Sequence, residues 1–544
     1  MMRISTTWTA FSLTVTMMLM LLSSFLQRPV NAASAASAPY DDLEGSYAKQ
    51  AIIALTNRGI LTGTSKSTFS PKKPVTRAEF VTMLDRLLGL APVDSPVTAM
   101  KDMKRSDWYY GWIQAAMQLG LAEGTSPASF EPMKPVSRQE AAVLLTRALK
   151  QAEQEGAMPD FQDGDKIADW AKSGAAIAQQ LDLVRGNEHG AFQPMKPILR
   201  QEAAVMLHRV VEHKSWDGEL TAPAPAQIHL GWQYGQSTAE YERSVAGSTV
   251  NTLSPRWYFV GALGNLTDTT DSSLVAWAKN NNKQIWAMVG NRSDEGATHQ
   301  LLSDAAVRVK AVQALTAAAK KHGLQGLNID FENVGARDRA AFTAFITELG
   351  TELHAAGKIL SVNVSPDRGT SWTEAFDYAA LGRQADYIVM MGYDEHWGGQ
   401  AEAGSVASIS YVDEALRKLS LQVPGSKMIL ALPFYNRDWA LDSHGRSVSS
   451  EVISLTEQNH RMKRQPSFQL KWDGEAGQYR AAYRLSGVQH RIWMEDGRSL
   501  AVKIEKAQSH GAAGLAYWYV GGESSDIWPS VRNAERFAAY NFTT

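Results

Sequence analysis

The 544-residue sequence contains no cysteine, so disulfides are excluded and packed cores must hold the chain together. Beyond residue 26 no segment is apolar enough for long enough to cross a bilayer. Neither sign of charge dominates: the formal net charge is −2, which gives no electrostatic reason for nucleic acid or an anionic membrane as partner. There is no GxGxxG, no P-loop and no His/Asp/Glu cluster at metal-ligand spacing, so no cofactor and no metal is expected. What is present is 44% hydrophobic and 20% charged residues, with 16 Trp, in a chain long enough for two or more domains.

The N-terminus is built differently. Arg3 precedes an apolar run from Ala10 to Leu26, and Val30-Asn31-Ala32 offers a small-residue cleavage site. This is the pattern of a secretory signal peptide, assigned to residues 1–32; the competing reading is an uncleaved membrane anchor. An exported chain without cysteine suits a bacterial surface.

The first half repeats. GILTGTSKSTFSPKKPVTRAEF, GLAEGTSPASFEPMKPVSRQEA and LVRGNEHGAFQPMKPILRQEA align Gly63, Gly124 and Gly186, then Phe69, Phe130 and Phe192, then Arg77, Arg138 and Arg200, at offsets of 61 and 62 residues. Trp108 and Trp170 also align, with Tyr47 in the first copy. Each unit reads as helix, turn, Phe-x-Pro loop and second helix. Thr76-Arg-Ala-Glu79 and Ser137-Arg-Gln-Glu140 are capping boxes, whereas Leu199 removes the hydroxyl from the third. A single helix pair cannot bury its own apolar face, so the three copies are expected to pack together.

These units, about 40–91, 102–150 and 160–212 within 40–212, resemble the S-layer homology module. The resemblance implies a helical, three-fold assembly that anchors the protein to secondary cell-wall polysaccharide, with Arg77, Arg138, Arg200, Trp108 and Trp170 as contacts. Guanidinium groups near helix N-termini suit an anionic sugar substituent; the alternative is that each Arg braces the fold through a neighbouring carboxylate. The polar, then Ala-Pro-rich stretch 213–227 reads as a short, semi-rigid linker.

From Ile228 the rhythm changes to eight short apolar runs: IHLGW, VNTLSPRWYFV, QIWAMVGN, GLNIDFEN, ILSVNVSP, ADYIVMMGYD, KMILALPFY and GLAYWYV. Amphipathic helical stretches separate several of them, which argues for parallel β/α units and a TIM (β/α)8 barrel over 228–544. The longest insertion, about 440–498, falls between the seventh and eighth runs.

Polar residues collect at the C-terminal ends of these runs, where such barrels place their chemistry. The fourth supplies Asn328, Asp330 and Glu332 at every second position, on one face of a strand. The sixth ends in Tyr393 and Asp394, the seventh in Tyr435 with Arg437 and Asp438 beyond it, and the eighth contains Trp518. Together they predict an acidic, aromatic-walled cleft suited to a neutral sugar chain. Two carboxylates as close as Asp330 and Glu332 resist joint ionisation, so one is held protonated towards neutral pH. His396 and Trp397 are equally readable as substrate contacts or as loop and rim packing.

GLNIDFENV, with MGYDEHW, LPFYNRDW, IWMEDGRSL and YWYVGGE, resembles glycoside hydrolase family 18 across most of 228–540, and most of all its spore-cortex-lytic, N-acetylglucosaminidase-like branch. The resemblance implies a substrate-assisted, retaining hydrolysis of β-1,4 bonds at N-acetylglucosamine. In it Glu332 is the acid and base, Asp330 and Tyr393 hold the 2-acetamido group, and Trp518 floors the sugar site. Asn328, Asp394, Tyr435, Arg437 and Asp438 are the further substrate-contact candidates. Gln325 and Asn328 stand where the family signature often has Asp; an amide at 328 can hydrogen-bond Asp330 but cannot trade a proton with it. The expectation is a secreted, wall-anchored hydrolase acting on peptidoglycan or chitin-type glycans, the alternative being a barrel that binds glycans without cutting them.

Overall fold

The structure is a computed structural model that describes residues 39–465 and 467–542, so the signal-peptide reading lies outside the described residues. Among the described residues no helix is long and apolar enough to cross a membrane.

The repeats fold as three helix pairs: Lys49–Asn57 with Arg77–Leu87, Tyr110–Gln118 with Arg138–Ala148, and Asp169–Gln180 with Arg200–Glu212. Both expected capping boxes form, Thr76 with Glu79 and Ser137 with Glu140. In the third unit Leu199 supplies no side-chain acceptor, but Glu202 still takes the Leu199 N–H at 2.7 Å, so half of the box survives. The three segments before these helices meet in a closed backbone ring. Val75 N–H donates to Ile198 O, Val136 N–H to Val75 O and Ile198 N–H to Val136 O, with all three side chains fully buried.

Each repeat arginine reaches into the next unit. Arg77 donates to Phe130 O, Glu123 O and the Glu140 carboxylate. Arg138 does the same with Phe192 O, Arg185 O and Glu202, and Arg200 with Phe69 O and Thr62 O, beside Glu79. Each guanidinium also lies over the Phe ring of that unit, at 4.4–5.1 Å. The third arginine closes the circle on the first unit, so three short helix pairs share one core.

The stretch expected to be a linker is mostly helix. Lys214–Thr221 is helical and buries Trp216 and Leu220, four residues apart, on the repeat core. Only His213 and 222–227 of this stretch are without helix or strand. The spacing of two apolar residues on one helical face outweighs the polar letters around them.

Eight parallel strands then close a barrel: β1 (Ile228–Gln233), β2 (Thr252–Pro255), β5 (Gln284–Gly290), β6 (Gly326–Asp330), β7 (Ile359–Val364), β8 (Tyr387–Met391), β9 (Met428–Pro433) and β15 (Gly514–Trp518), with β2 pairing both β1 and β5. The second apolar run is not one strand. Pro255 ends β2, and β3 (Tyr258–Val260) lies beside β5 and pairs β4 (Leu266–Asp268) on its other side. The insertion begins earlier than expected, directly after β9. It is a five-stranded antiparallel sheet of β10 (Tyr435–Leu441), β11 (Ser447–Ser454), β12 (Gln469–Asp473), β13 (Gln478–Leu485) and β14 (Val488–Met494), with its own small core around Tyr483, Ile492 and Met462.

Barrel and repeats are docked. On the final helix, Ile527–Ala539, Asn533 exchanges two hydrogen bonds with the backbone of Ala91, and Arg536 donates to Leu88 O. Gly89 is required there: its φ is +64°, and a Cβ would meet the Arg536 guanidinium at 2.8 Å. Tyr540 and Phe542 continue into the repeat core, where Phe542 meets Trp216 edge-on.

Arg77→Ala removes the partner of Glu140 Oε1 and of two carbonyls at an inter-unit seam. It is expected to cost the helical unit about 2–4 kcal/mol, read in urea unfolding followed by circular dichroism.

Candidate active site

The C-terminal ends of β6, β7, β8 and β15 open into a cleft of about 760 Å³, lined among others by Asp330, Glu332, Asn363, Tyr393, Asp394 and Trp518. The three polar residues of GLNIDFENV enter it at different depths. Side chains of one strand face are ~7 Å apart along the strand, so each successive residue sits one layer nearer the mouth. Asn328 is fully buried below the cleft, Asp330 is buried at its floor, and Glu332, two residues past the end of β6, is exposed at its wall.

Asn328 therefore corrects an expectation. It neither lines the cleft nor touches Asp330. Its amide oxygen accepts from Trp232 Nε1 at 2.9 Å, and its nitrogen donates to Ser361 Oγ at 2.9 Å and Asn363 Oδ1 at 2.7 Å. Asn363 is the residue that reaches Asp330, donating to Oδ1 at 2.9 Å. Among the described residues, Oδ2 makes no hydrogen bond to protein. Gln325 lies at the far end of the strand, where its side-chain oxygen accepts from Ile285 N at 2.9 Å and ties β6 to β5.

The Asp330 carboxyl is pushed up to about 7. Burial is the main cause and the Glu332 charge the second, while the Asn363 hydrogen bond and Arg256 pull the other way. Glu332 is held by the end of β5. Asn291 clamps its backbone through two hydrogen bonds, to the N–H and the carbonyl, and Ser293 Oγ donates to Glu332 Oε2 at 2.6 Å.

Tyr393 is buried in the wall. Burial first, then the charges of Asp330, Asp394 and Glu332, drive its phenol far above its ordinary range, so it remains an O–H donor. Tyr435 lies behind it, edge-on at 6.1 Å, and donates to Asp394, which holds a left-handed φ of 60°. Trp518 is half-buried beneath the cleft against Trp232 and Tyr234.

The remaining candidates fall elsewhere. Asp438 is a buried carboxylate of the inserted sheet, bonded to Arg461, Tyr483 and His490. It is correspondingly removed from the cleft, because β10 turns Asp438 into that sheet's own interior. Arg437, also on β10, bonds Ser450 at 3.1 Å and packs against Gly398. His396 bonds the Ser405 carbonyl, whereas Trp397 is exposed and lines the cleft. In the repeats, Arg77, Arg138 and Arg200 are spent on the inter-unit ties, while Trp108 and Trp170 are 57% exposed and Tyr47 69%.

Several residues of the site carried a readable signal. Ser361, Asn363 and Ser365 alternate along ILSVNVSP with the same period as the fourth run, and GNRS at the end of β5 holds Asn291 and Ser293. Arg256, Arg292 and Arg368 carried none. All three are exposed, stand over aromatic rings around the mouth and form no ion pair among the described residues. The cleft is thus not simply acidic.

The raised carboxyl of Asp330 has a consequence for stability. Folded Asp330 binds its proton up to about pH 7, whereas an unfolded Asp releases it near ~4. Between those values the folded state holds more protons, so stability falls as pH rises through that window and levels off above it. Asp330→Asn is expected to flatten this slope and to gain on the wild type as pH rises from 4 to 7, seen in melting temperatures across that range.

Known proteins share both halves. Residues 261–523 match glycosyl hydrolases family 18, and residues 39–81, 99–142 and 160–204 each match the S-layer homology domain. An uncharacterized glycosylase of Bacillus subtilis (strain 168) is 25% identical over 57% of this chain and 92% of its own. A cortical fragment-lytic enzyme of Bacillus cereus is 27% identical over 52% of this chain, which spans 65% of that relative, just under two thirds. The crystal structure of a chitinase from Chromobacterium violaceum ATCC 12472 superposes with a TM-score of 0.52 at 25% identity, covering 57% of this chain and 99% of that one. The chain joins three S-layer homology domains, which mark association with the cell wall, to a glycoside hydrolase family 18 barrel.

Proposed function

We propose that the barrel hydrolyses β-1,4 bonds at N-acetylglucosamine by a substrate-assisted, retaining route, at the outer face of a cell whose wall polysaccharide the repeats grip. The observation that carries this is the difference in depth between the two carboxyls. A water-exposed Glu332 reaches the scissile oxygen, while Asp330, deeper and with one oxygen unclaimed, meets the sugar's 2-acetamido group from below. Glu332 gives its proton to the glycosidic oxygen as the acetamide oxygen attacks C1 and the leaving sugar departs. Asp330 accepts the acetamide N–H and offsets the positive charge of the oxazolinium ring. Tyr393 donates to the acetamide oxygen, and Trp518 supports the sugar face. Glu332 then takes a proton from water as it attacks C1, restoring the acetamide. A second protein carboxylate nucleophile is not needed, which sets this route apart from the two-carboxylate scheme.

Neither Gln325 nor Asn328 favours the non-hydrolytic alternative, because both are occupied by scaffold bonds outside the cleft. The arginines around the mouth favour peptidoglycan, whose lactyl and peptide carboxylates they can meet, over uncharged chitin. Mass spectrometry of digests of purified peptidoglycan and of chitin oligomers is expected to find N-acetylglucosamine reducing ends in both, released faster from peptidoglycan. Glu332→Gln is expected to slow release by about 10²–10⁴-fold; an unchanged rate overturns the reading.

For the anchor, the exposed aromatics are the surfaces left free by the inter-unit ties. Replacing Trp108 and Trp170 together by Ala is expected to weaken cosedimentation with purified cell walls roughly tenfold, with hydrolysis of soluble oligomers unchanged.

A further inference from the structure

The hydrogen bonds beneath Asp330 run in one direction, and a single side chain sets it. An indole N–H donates and never accepts. Trp232 Nε1 points at Asn328, so the amide oxygen of Asn328 must face it, at 2.9 Å. The Asn328 nitrogen is then turned towards Ser361 and towards Asn363 Oδ1, at 2.7 Å. That in turn forces the Asn363 nitrogen onto Asp330 Oδ1, at 2.9 Å. Trp232 and Asn328 are fully buried below the cleft, so water cannot replace the indole donor at the inner end of the chain.

The hydroxyls on the chain agree with this direction but cannot impose it. Ser254 Oγ donates to Asn328 Oδ1 at a long 3.4 Å, and Ser361 Oγ sends its proton to Leu327 O. Either hydroxyl can rotate and present a lone pair instead. Asn328 matters for the same reason. A carboxylic acid at this position could switch between donor and acceptor by moving a proton, whereas an amide can only flip, and the indole forbids the flip.

We propose that Trp232 is a positioning residue: its indole N–H sets the direction of an amide chain that always presents Asp330 with a donor at Oδ1 and leaves Oδ2 for the substrate. With the chain reversed, Asn363 would offer Asp330 its oxygen. Only a protonated carboxyl, its proton on Oδ1, could meet that oxygen, and Oδ2 would then accept from the acetamide as a neutral carbonyl, without the negative charge that offsets the oxazolinium ring. The charged and titratable groups facing Asp330 are Glu332 beyond its own strand, Tyr393 beyond β8, which Asp394 faces in turn, and Arg256 beyond β2. Asn363 is its hydrogen-bond donor among the described residues. The same indole leans edge-on against Trp518, so chain and sugar platform share one support.

This inference rests on Asp330 acting on the acetamide, but its test can be read without activity. In Trp232→Phe the ring remains and the donor is gone. The pH at which the melting temperature levels off is expected to rise by about one unit, the worth of one hydrogen bond to a charged group. The shift is expected to vanish in the Asp330→Asn background. With chitin oligomers, the pH profile of kcat/KM is expected to move by the same amount. Asn363→Ser, whose hydroxyl can donate or accept, is the second probe and is expected to move both profiles the same way. Unchanged profiles in the variants that fold overturn the proposal. A wild-type chain that cuts no glycan sinks the hydrolase reading, while the melting series still decides the direction of the chain.

Discussion

A side chain that points into a closed barrel has no water to turn to, and the site is organised by that constraint. Strand geometry sends Asn328 and Asp330 inward and leaves Glu332 beyond the strand end. A buried polar group must be paired or its charge suppressed. Asn328 satisfies the first condition completely, with partners from three other strands. Asp330 satisfies it by half, and its carboxyl is accordingly held towards the protonated form. Glu332 escapes to solvent, where its carboxyl takes Ser293 as partner from a neighbouring loop. Three polar residues two apart thus become a structural amide, a buried carboxyl and a solvent-facing carboxyl through depth alone.

The same constraint explains how far the sequence could be read. The eight strands and three repeats are local patterns, periodic within one stretch of chain, and they appear in the structure where the letters placed them. Partners across strands are not local. Asn328 was read as a neighbour of Asp330 because both share a strand face, but the strand rise keeps them a layer apart and Asn363, from β7, fills the gap. Asp438 looked like a cleft residue because it follows a barrel strand. It is claimed instead by β13, β14 and the helix Leu455–Arg464 of the inserted sheet, elements whose pairing no single run announces. Trp216 and Leu220 show the opposite failure: an apolar pair at helical spacing was present, but polar neighbours and the Ala-Pro stretch after it masked the signal.

In the repeats, the arginines take the bracing role that a guanidinium suggests at a helix start. The planar fork satisfies carbonyls and the capping carboxylate of the next unit while its face covers the Phe of that unit. Because the third reaches back to the first, no unit has a free end within the ring, and the aromatic residues Trp108, Trp170 and Tyr47 are left exposed outside it.

The two halves of the molecule are fastened at separated places, among them these two. The chain passes from repeats to barrel through 213–227, and the last helix of the barrel returns to lay Arg536, Tyr540 and Phe542 against the repeats. A body joined at one point can swivel, but one joined at two separated points keeps its bearing. Once the repeats have taken hold of the wall, the cleft faces a set direction at a set height. The glycan it meets is then selected by geometry as much as by affinity: strands that run past at the right level are within reach, and identical chemistry above or below that level is not.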